Sequence, residues 1–420
     1  MASKLTPQAK RFVINHDTVV AAGLFFVFVA GTIAFSTTTF SSRGIIEPIR
    51  AGSAIIAISL AALQIIFKPK IPKQQGVAIA LFALVFFYML LLHAINGTSL
   101  GARQIYVFGI LLIAATTFFL AQPKQVTFPP KLVKALFFVF LAMFAITVVL
   151  GGISLQFPPH FILEYASRAA NVSYDIQYSQ GTTKFYGLAA IAAMFLLLNA
   201  RSRWSRAFYI VTMVGFLLLS LIGGARGESV AAIIVVLFGL LYKNKGTLLI
   251  VIGIAVVGLS LLGASNFFEL TIVQRFLLIF ESAGRRETLL IDAFNLLFEK
   301  PECMVFGCGL NFFQKFYGLP VGVYPHNVLV ELAISLGLPM TLFLVFSSLV
   351  GFWHLIRNVG MRNDALPFFF LYYFLIGLKS GSVIGSSFFV ASLFFLSSLT
   401  ITNLRKNRIP HSSALGNRIQ

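Results

Sequence analysis

Tyr324–Trp353 reads YPHNVLVELAISLGLPMTLFLVFSSLVGFW. Four residues with turn and polar character lead into a long run of apolar and small side chains. Glu331 is the one charged residue in that run. The run is long enough to cross the roughly 30 Å hydrocarbon core of a bilayer as a helix. A titratable imidazole, His326, sits at its mouth, after a polar segment that carries the pair Arg285-Arg286. An imidazole and clustered guanidinium groups where lipid meets water point to chemistry on an anionic, lipid-linked substrate. A passive anchor would need neither.

Similar runs recur along the whole chain. Of 420 residues, 58% are hydrophobic and only 11% are charged, with mean hydropathy +0.90. Soluble domains carry about 25% charged residues. The 46 phenylalanines suit lipid-facing helices. Backbone in lipid must satisfy its own hydrogen bonds, so such runs are read as helices. The expectation is an all-α polytopic membrane protein, one integral membrane domain over residues 1–420. Twelve transmembrane helices are expected near 18–38, 49–67, 76–95, 105–121, 135–152, 183–199, 207–223, 229–242, 247–264, 327–353, 365–381 and 384–402. The first run begins near Thr18 without a small-residue cleavage site, so it reads as a span and not as a signal peptide.

The charges then sort by side. One set of loops and termini holds 20 of the 32 basic residues and only two acidic ones, Asp17 and Asp364. By the positive-inside rule this set is cytoplasmic, with both termini inside. The net charge of +19 is therefore a topology signal, and nucleic acid is not an expected partner. The tail Arg405-Lys406-Asn407-Arg408 reads as an anchor to the membrane surface. The cytoplasmic loops are short and hold no GxxxxGK[ST] or GxGxxG motif, which argues against an ATP-driven activity within them.

Two outer loops are long, residues 153–182 and 265–326. The second, before span ten, is expected to be partly helical. Arg275–Glu281 is amphipathic and suits the interface. A helical pattern follows through Leu289, Leu290, Ala293, Phe294 and Leu297 and ends before Pro301, with Ser282 or Gly284 as its cap. Arg285 and Arg286 then fall in the first turn, where the helix dipole disfavours cations. A bound anion relieves that conflict. A solvated basic turn, or pairing with Glu281 or Glu287, is the plainer reading.

Other candidates lie on the same side. Arg226, in Gly223-Gly224-Ala225-Arg226-Gly227-Glu228, is a charge at the membrane edge among small residues that permit close approach. Its alternative is a surface pair with Glu228, or snorkelling. The ordinary pKa of His326 suits a general base toward a sugar hydroxyl, and its alternative is a bond to a backbone carbonyl. Asn327 is a helix cap or a sugar contact. Glu331 needs a partner, either His326 or an arginine. Arg168 and Lys184 bracket the first outer loop with Tyr165, Tyr174, Tyr178 and Tyr186, a set suited to an anionic glycan or to an aromatic belt. Lys379 either snorkels or binds substrate. Cys303 and Cys308 are the only cysteines. An oxidising compartment permits a disulfide between them, and the sequence does not establish one. No ligand-spaced cluster points to a metal, and no cofactor is expected.

Three local patterns together resemble the O-antigen ligase/polymerase superfamily, the Wzy and WaaL families. Gly224-Ala225-Arg226-Gly227 looks like the family's small-residue-Arg-Gly turn. Arg286, with Pro301 fifteen residues on and Gly307-Cys308-Gly309 beyond, looks like its Arg-helix-Pro-Gly-x-Gly segment. Tyr324-Pro325-His326-Asn327, Glu331 and Gly337 match its His-Asn helix start. Leu290 stands where an aromatic is usual, and Pro339 and Met340 where a second glycine is common. The Tyr-Pro-His-Asn start and Lys379-Ser380-Gly381-Ser382 look more like the Wzy polymerases than the WaaL ligases.

The resemblance implies a metal-independent glycosyltransferase that acts at the periplasmic face of the bacterial inner membrane. Its donor would be an undecaprenyl-pyrophosphate-linked oligosaccharide, and its product O-antigen or a related surface polysaccharide. A chain-length regulator and other polysaccharide-assembly proteins are implied partners. Arg226, Arg286 and Arg285 would hold the pyrophosphate, and His326 would orient or deprotonate the acceptor hydroxyl with Glu331 behind it. Arg168, Lys379, Asn327 and Tyr324 would contact substrate. A ligase acting on lipid A-core is the alternative. A transporter or flippase is more distant, because transporters place their charges at the midplane.

Overall fold

The computed structural model describes residues 73–96, 128–154, 180–222, 225–243, 285–320, 322–379 and 381–407, with a few isolated positions elsewhere. The spans expected at 18–38, 105–121 and 247–264, nearly all of 49–67, Arg168 with most of the first long loop, and the Arg275–Glu281 segment lie outside the described residues.

Every regular element among the described residues is a helix. In order they are α1 (Lys73–Ile95), α2 (Pro130–Ser154), α3 (Gln180–Asn199), α4 (Arg203–Ile222), α5 (Arg226–Lys243), α6 (Arg285–Glu299), α7 (Pro301–Phe306), α8 (Phe312–Phe316), α9 (Val328–Leu336), α10 (Leu338–Asn358), α11 (Leu366–Lys379) and α12 (Ser387–Asn407). Proline opens several of them. Pro130, Pro301, Pro339 and Pro367 each occupy a first or second helical position, where a missing N–H costs nothing. Two stretches, Arg203–Leu221 and Leu338–Asn358, are long and apolar enough to cross a membrane. Shorter apolar stretches occur in α1, α3, α5, α11 and α12.

The core is built around α3, which packs against α2, α4, α5 and α11. Its residues from Thr183 to Leu198 are all buried, so it has no solvent face. Alanines at 189, 190, 192 and 193 let its neighbours approach closely. A side chain at Gly187 would collide with the Tyr372 hydroxyl, and one at Gly239 with the Met194 sulfur.

The second layer, α1, α10 and α12, is inside out by the standards of a water-soluble bundle. On α10 the large apolar side chains of Leu342, Phe343, Phe346, Leu349, Val350 and Trp353 face outward. The buried face holds Thr341, Leu344, Ser347, Ser348, Gly351 and Leu355. Ser347 Oγ lies 2.7 Å from Ser397 Oγ, and Thr400 Oγ1 donates to the Ser347 carbonyl at 2.7 Å. At Gly351 a Cβ would strike the Leu396 carbonyl. Small residues and interhelical hydroxyl bonds are what hold helices together when the surroundings are as apolar as the side chains.

The expected span 327–353 is not one helix. It breaks at Gly337 (φ 86°, ψ 151°) into α9 and α10. The cause is local. Pro339 has no N–H to return to Ser335, and the Ser335 carbonyl instead accepts from Gly309 at 3.2 Å. The Ile334 carbonyl accepts from Cys308 at 2.7 Å. Gly307 and Gly337 have positive φ, and a Cβ on either would collide with the other's strand of backbone. Cys303 and Cys308 form a disulfide that closes the turn between α7 and this clasp. Asn96 donates to the Cys308 carbonyl at 2.8 Å, and Lys315 Nζ to the Asn96 carbonyl, tying the clasp to the end of α1.

Candidate functional site

The short helix α9 is surrounded by α1, α6, α7, α8, α10 and α11, and its N-terminus carries the site. Asn327 is its cap. The Oδ1 of Asn327 accepts from the N–H groups of Leu329 (3.0 Å) and Val330 (3.2 Å), two donors that a helix start leaves without partners. Its Nδ2 donates to the Leu378 carbonyl at 3.0 Å. The carboxamide is therefore committed to structure, and it fixes the end of α11 beside the start of α9. Of the two readings of Asn327, the cap is the observed one.

His326 precedes the cap in a left-handed conformation, φ 57°. That region is costly for a residue with a Cβ. The turn lays the imidazole against the Tyr324 ring, with centroids 4.3 Å apart. Its Nδ1 is buried and has no hydrogen-bond partner among the described residues. The expected alternative, a bond to a backbone carbonyl, is absent at this nitrogen. Burial, aided by the nearby Arg286 charge, lowers the His326 pKa from 6.5 to about 4. The ring is neutral near neutrality, with a nitrogen that no described residue uses.

Arg285 and Arg286 open α6, as the sequence pattern predicts, with Glu287 beside them in the first turn. Leu289 of α6 packs in one cluster with Val330 of α9, and the field of Arg286 reaches His326, so the starts of α6 and α9 converge. Arg226 is the first residue of α5, inside the helix and not in a loop before it. At Gly227 a Cβ would meet Lys379 Cδ at 2.8 Å, so the Lys379 stem lies across this glycine. These links join four helix ends: α6 to α9 through Arg286 and His326, α9 to α11 through Asn327, and α11 to α5 through Lys379. Arg226 and Arg285 enter by backbone position, and their side chains lie outside what is described.

Two expectations are corrected. The Oε2 of Glu331 accepts from the Val383 N–H at 2.8 Å, so its partner is neither His326 nor an arginine. It braces α9 against the segment between α11 and α12. Glu228 is buried, and so it is not half of a surface pair with Arg226. Its charge acts on Lys184, from the far side of the α3–α5 interface. That pairing spans two helices and leaves no local pattern. Its one sequence signal is a lone charge in each of two otherwise apolar runs. Among the described residues no group of three or more His, Cys, Asp or Glu side chains could hold a metal ion. Chemically, the site offers a neutral imidazole, a nearby guanidinium group, a lysine and the starts of three helices.

No protein-family model matches the chain, and no curated protein does.

Proposed function

We propose that this chain is a polytopic inner-membrane glycosyltransferase that polymerises undecaprenyl-pyrophosphate-linked O-antigen or related repeat units. The observation that carries the reading is the Nδ1 of His326, buried and unpartnered beside Arg286. A protein rarely leaves a buried nitrogen unpaired without using it. The outward-facing apolar surface of α10 supports a bilayer setting. The Cys303–Cys308 disulfide supports an oxidising, periplasmic side for the site. The charge asymmetry of the loops supports twelve spans with both termini cytoplasmic.

In this reading the acceptor sugar hydroxyl binds at His326. Its oxygen forms a bond to the anomeric carbon of the donor as the bond from that carbon to the phosphate oxygen breaks. The hydroxyl proton passes to the imidazole, and the electron pair departs with undecaprenyl pyrophosphate. Charge grows on the pyrophosphate oxygens, where Arg226 and Arg286, with Arg285 and Lys379, stabilise it. The configuration at the anomeric carbon inverts. Energy comes from the activated donor.

The helix break at Gly337 is the feature that would favour a transporter, since broken helices bind ions through freed carbonyls. Here the Ile334 and Ser335 carbonyls are already bonded to Cys308 and Gly309, which favours the enzyme.

The test is glycan ladder length in cells carrying His326→Ala, Arg286→Ala or Arg286→Lys at normal protein level. Loss of long chains is expected from both alanine variants. Lysine should rescue only in part, because it lacks the planar fork. Normal ladders from the alanine variants would sink the assigned roles. A deletion separates polymerase from ligase: a single repeat on the core marks a lost polymerase, and full-length glycan stranded on the lipid marks a lost ligase.

A further inference from the structure

Lys184 and Glu228 are among the buried charges of the bundle that the reaction above leaves unused. Lys184 lies in the first turns of α3 and Glu228 in the first turn of α5, and they are 9% and 2% exposed. Their surroundings are tightly laced. The Ala225 N–H donates to Thr183 Oγ1 at 3.4 Å, and Ser220 Oγ donates to the Thr183 carbonyl at 3.4 Å. Ser229 Oγ donates to the Ser220 carbonyl at 2.7 Å. From α11, the Tyr372 hydroxyl reaches the Lys184 carbonyl at 3.5 Å, an approach that Gly187 makes possible. Four helices thus meet around the two charges.

Stability does not explain the pair. Opposite charges buried together often stabilise no more than apolar side chains of the same volume. Position offers an explanation. Glu228 follows Gly227, the residue on which the Lys379 stem rests, and Gly227 follows Arg226. Whatever fixes Glu228 fixes the first turn of α5, and so the spacing of Arg226 from Lys379. We propose that Lys184 and Glu228 are positioning residues for the anion-binding end of the site. They hold the start of α5 in register with the end of α11, so that two cations on different helices meet one pyrophosphate group. This rests on the function proposed above.

The test compares Lys184→Met, Glu228→Gln, the double variant and Glu228→Asp in the purified full-length protein. The probe is the lipid-linked oligosaccharide extracted from cells lacking this gene. Release of undecaprenyl pyrophosphate is measured per folded protein, beside the thermal unfolding midpoint in detergent. Each single neutralisation strands a buried charge, so both should unfold early. The double variant should regain the unfolding midpoint of the parent. A positioning role then predicts kcat still about tenfold to a hundredfold down with KM little changed, because misplacement is felt in the transition state. Parental kcat in the double variant would overturn the proposal and leave the pair merely structural. Should the double variant not fold, Glu228→Asp decides. It keeps the charge but retracts the carboxylate by one methylene, and parental kcat in its folded fraction would equally overturn the proposal. His326→Ala runs in parallel. If it too is fully active, the site reading itself falls; if it is dead while the double variant is active, only the positioning role falls.

Discussion

Replacing His326 by glycine separates two demands on that position. The left-handed backbone and the unpartnered Nδ1 both cost stability, each about 1–3 kcal/mol. Glycine removes both costs. His326→Gly should therefore unfold later than the parent and release no undecaprenyl pyrophosphate, and thermal unfolding with the release assay checks both. His326→Ala should be less stable than the glycine variant, since alanine keeps the backbone penalty. The pH dependence has a definite sign. Because the folded pKa is depressed below 6.5, the contribution of this group to stability is present above pH 6.5 and is lost as pH falls toward about 4. The acid limb of kcat/KM should likewise lie near pH 4. Arg286→Gln removes one of the two causes of the depression, so the limb should move to higher pH. A limb that stays fixed would separate Arg286 from His326. The sequence places His326 and Asn327 at a helix mouth because their signal is local. It does not reveal that Glu331 pairs with Val383, since that bond joins positions 52 residues apart.

Among elements, α9 depends on both of its ends. At its start, Asn327→Ala removes the acceptor for two N–H groups and the tie to α11, and should cost about 1–2 kcal/mol in chemical unfolding. Asn327→Asp keeps the cap and loses only the donor to Leu378, so it should cost less. At its end, the clasp joins Cys308 and Gly309 to Ile334 and Ser335. Gly307→Ala should disrupt it severely, because the added Cβ would lie 2.5 Å from the Leu336 carbonyl carbon at a positive φ. The paired change Cys303→Ala with Cys308→Ala should be milder, about 2 kcal/mol for so short a loop. If both variants melt alike, the clasp is held by the disulfide and not by backbone packing. The helix over residues 285–299 follows from its periodicity, which the sequence displays. The break at Gly337 is harder to see, because Gly337 and Pro339 are its main local marks in a run that stays largely apolar on both sides. Gly337 and Pro339 start the break, and the N–H groups of Cys308 and Gly309 add the partners its freed carbonyls need.

For the molecule as a whole, the distribution of polarity was legible as a class but not as packing. Apolar runs announce a helical bundle. They do not say that Ser347, Ser397 and Thr400 turn inward while Phe346 and Trp353 turn outward, because Ser347 follows Phe346 directly on α10 with nothing local to orient them. This inside-out arrangement yields a test that needs no substrate. The chain has two tryptophans, Trp204 near the start of α4 and Trp353 near the end of α10. Both are exposed, and both flank loops from the basic set, beside Arg201 and Arg203 or beneath Arg357. The guanidinium of Arg357 lies 5.2 Å from the Trp353 ring centroid. An indole with one apolar side and one polar edge settles at the headgroup boundary. If both tryptophans mark the same cytoplasmic boundary, their fluorescence in vesicles should be quenched strongly by lipids brominated near the headgroup and weakly by lipids brominated near the chain ends. Trp353→Phe and Trp204→Phe variants would assign the quenching to each ring. Quenching of Trp353 by aqueous acrylamide without any effect of brominated lipid would mean that the outer face of α10 meets water, and the bilayer setting would have to be abandoned. Quenching of the two rings at different depths would instead overturn the shared boundary, and with it the placement of the loops bearing Arg201 and Arg357 on one side of the membrane.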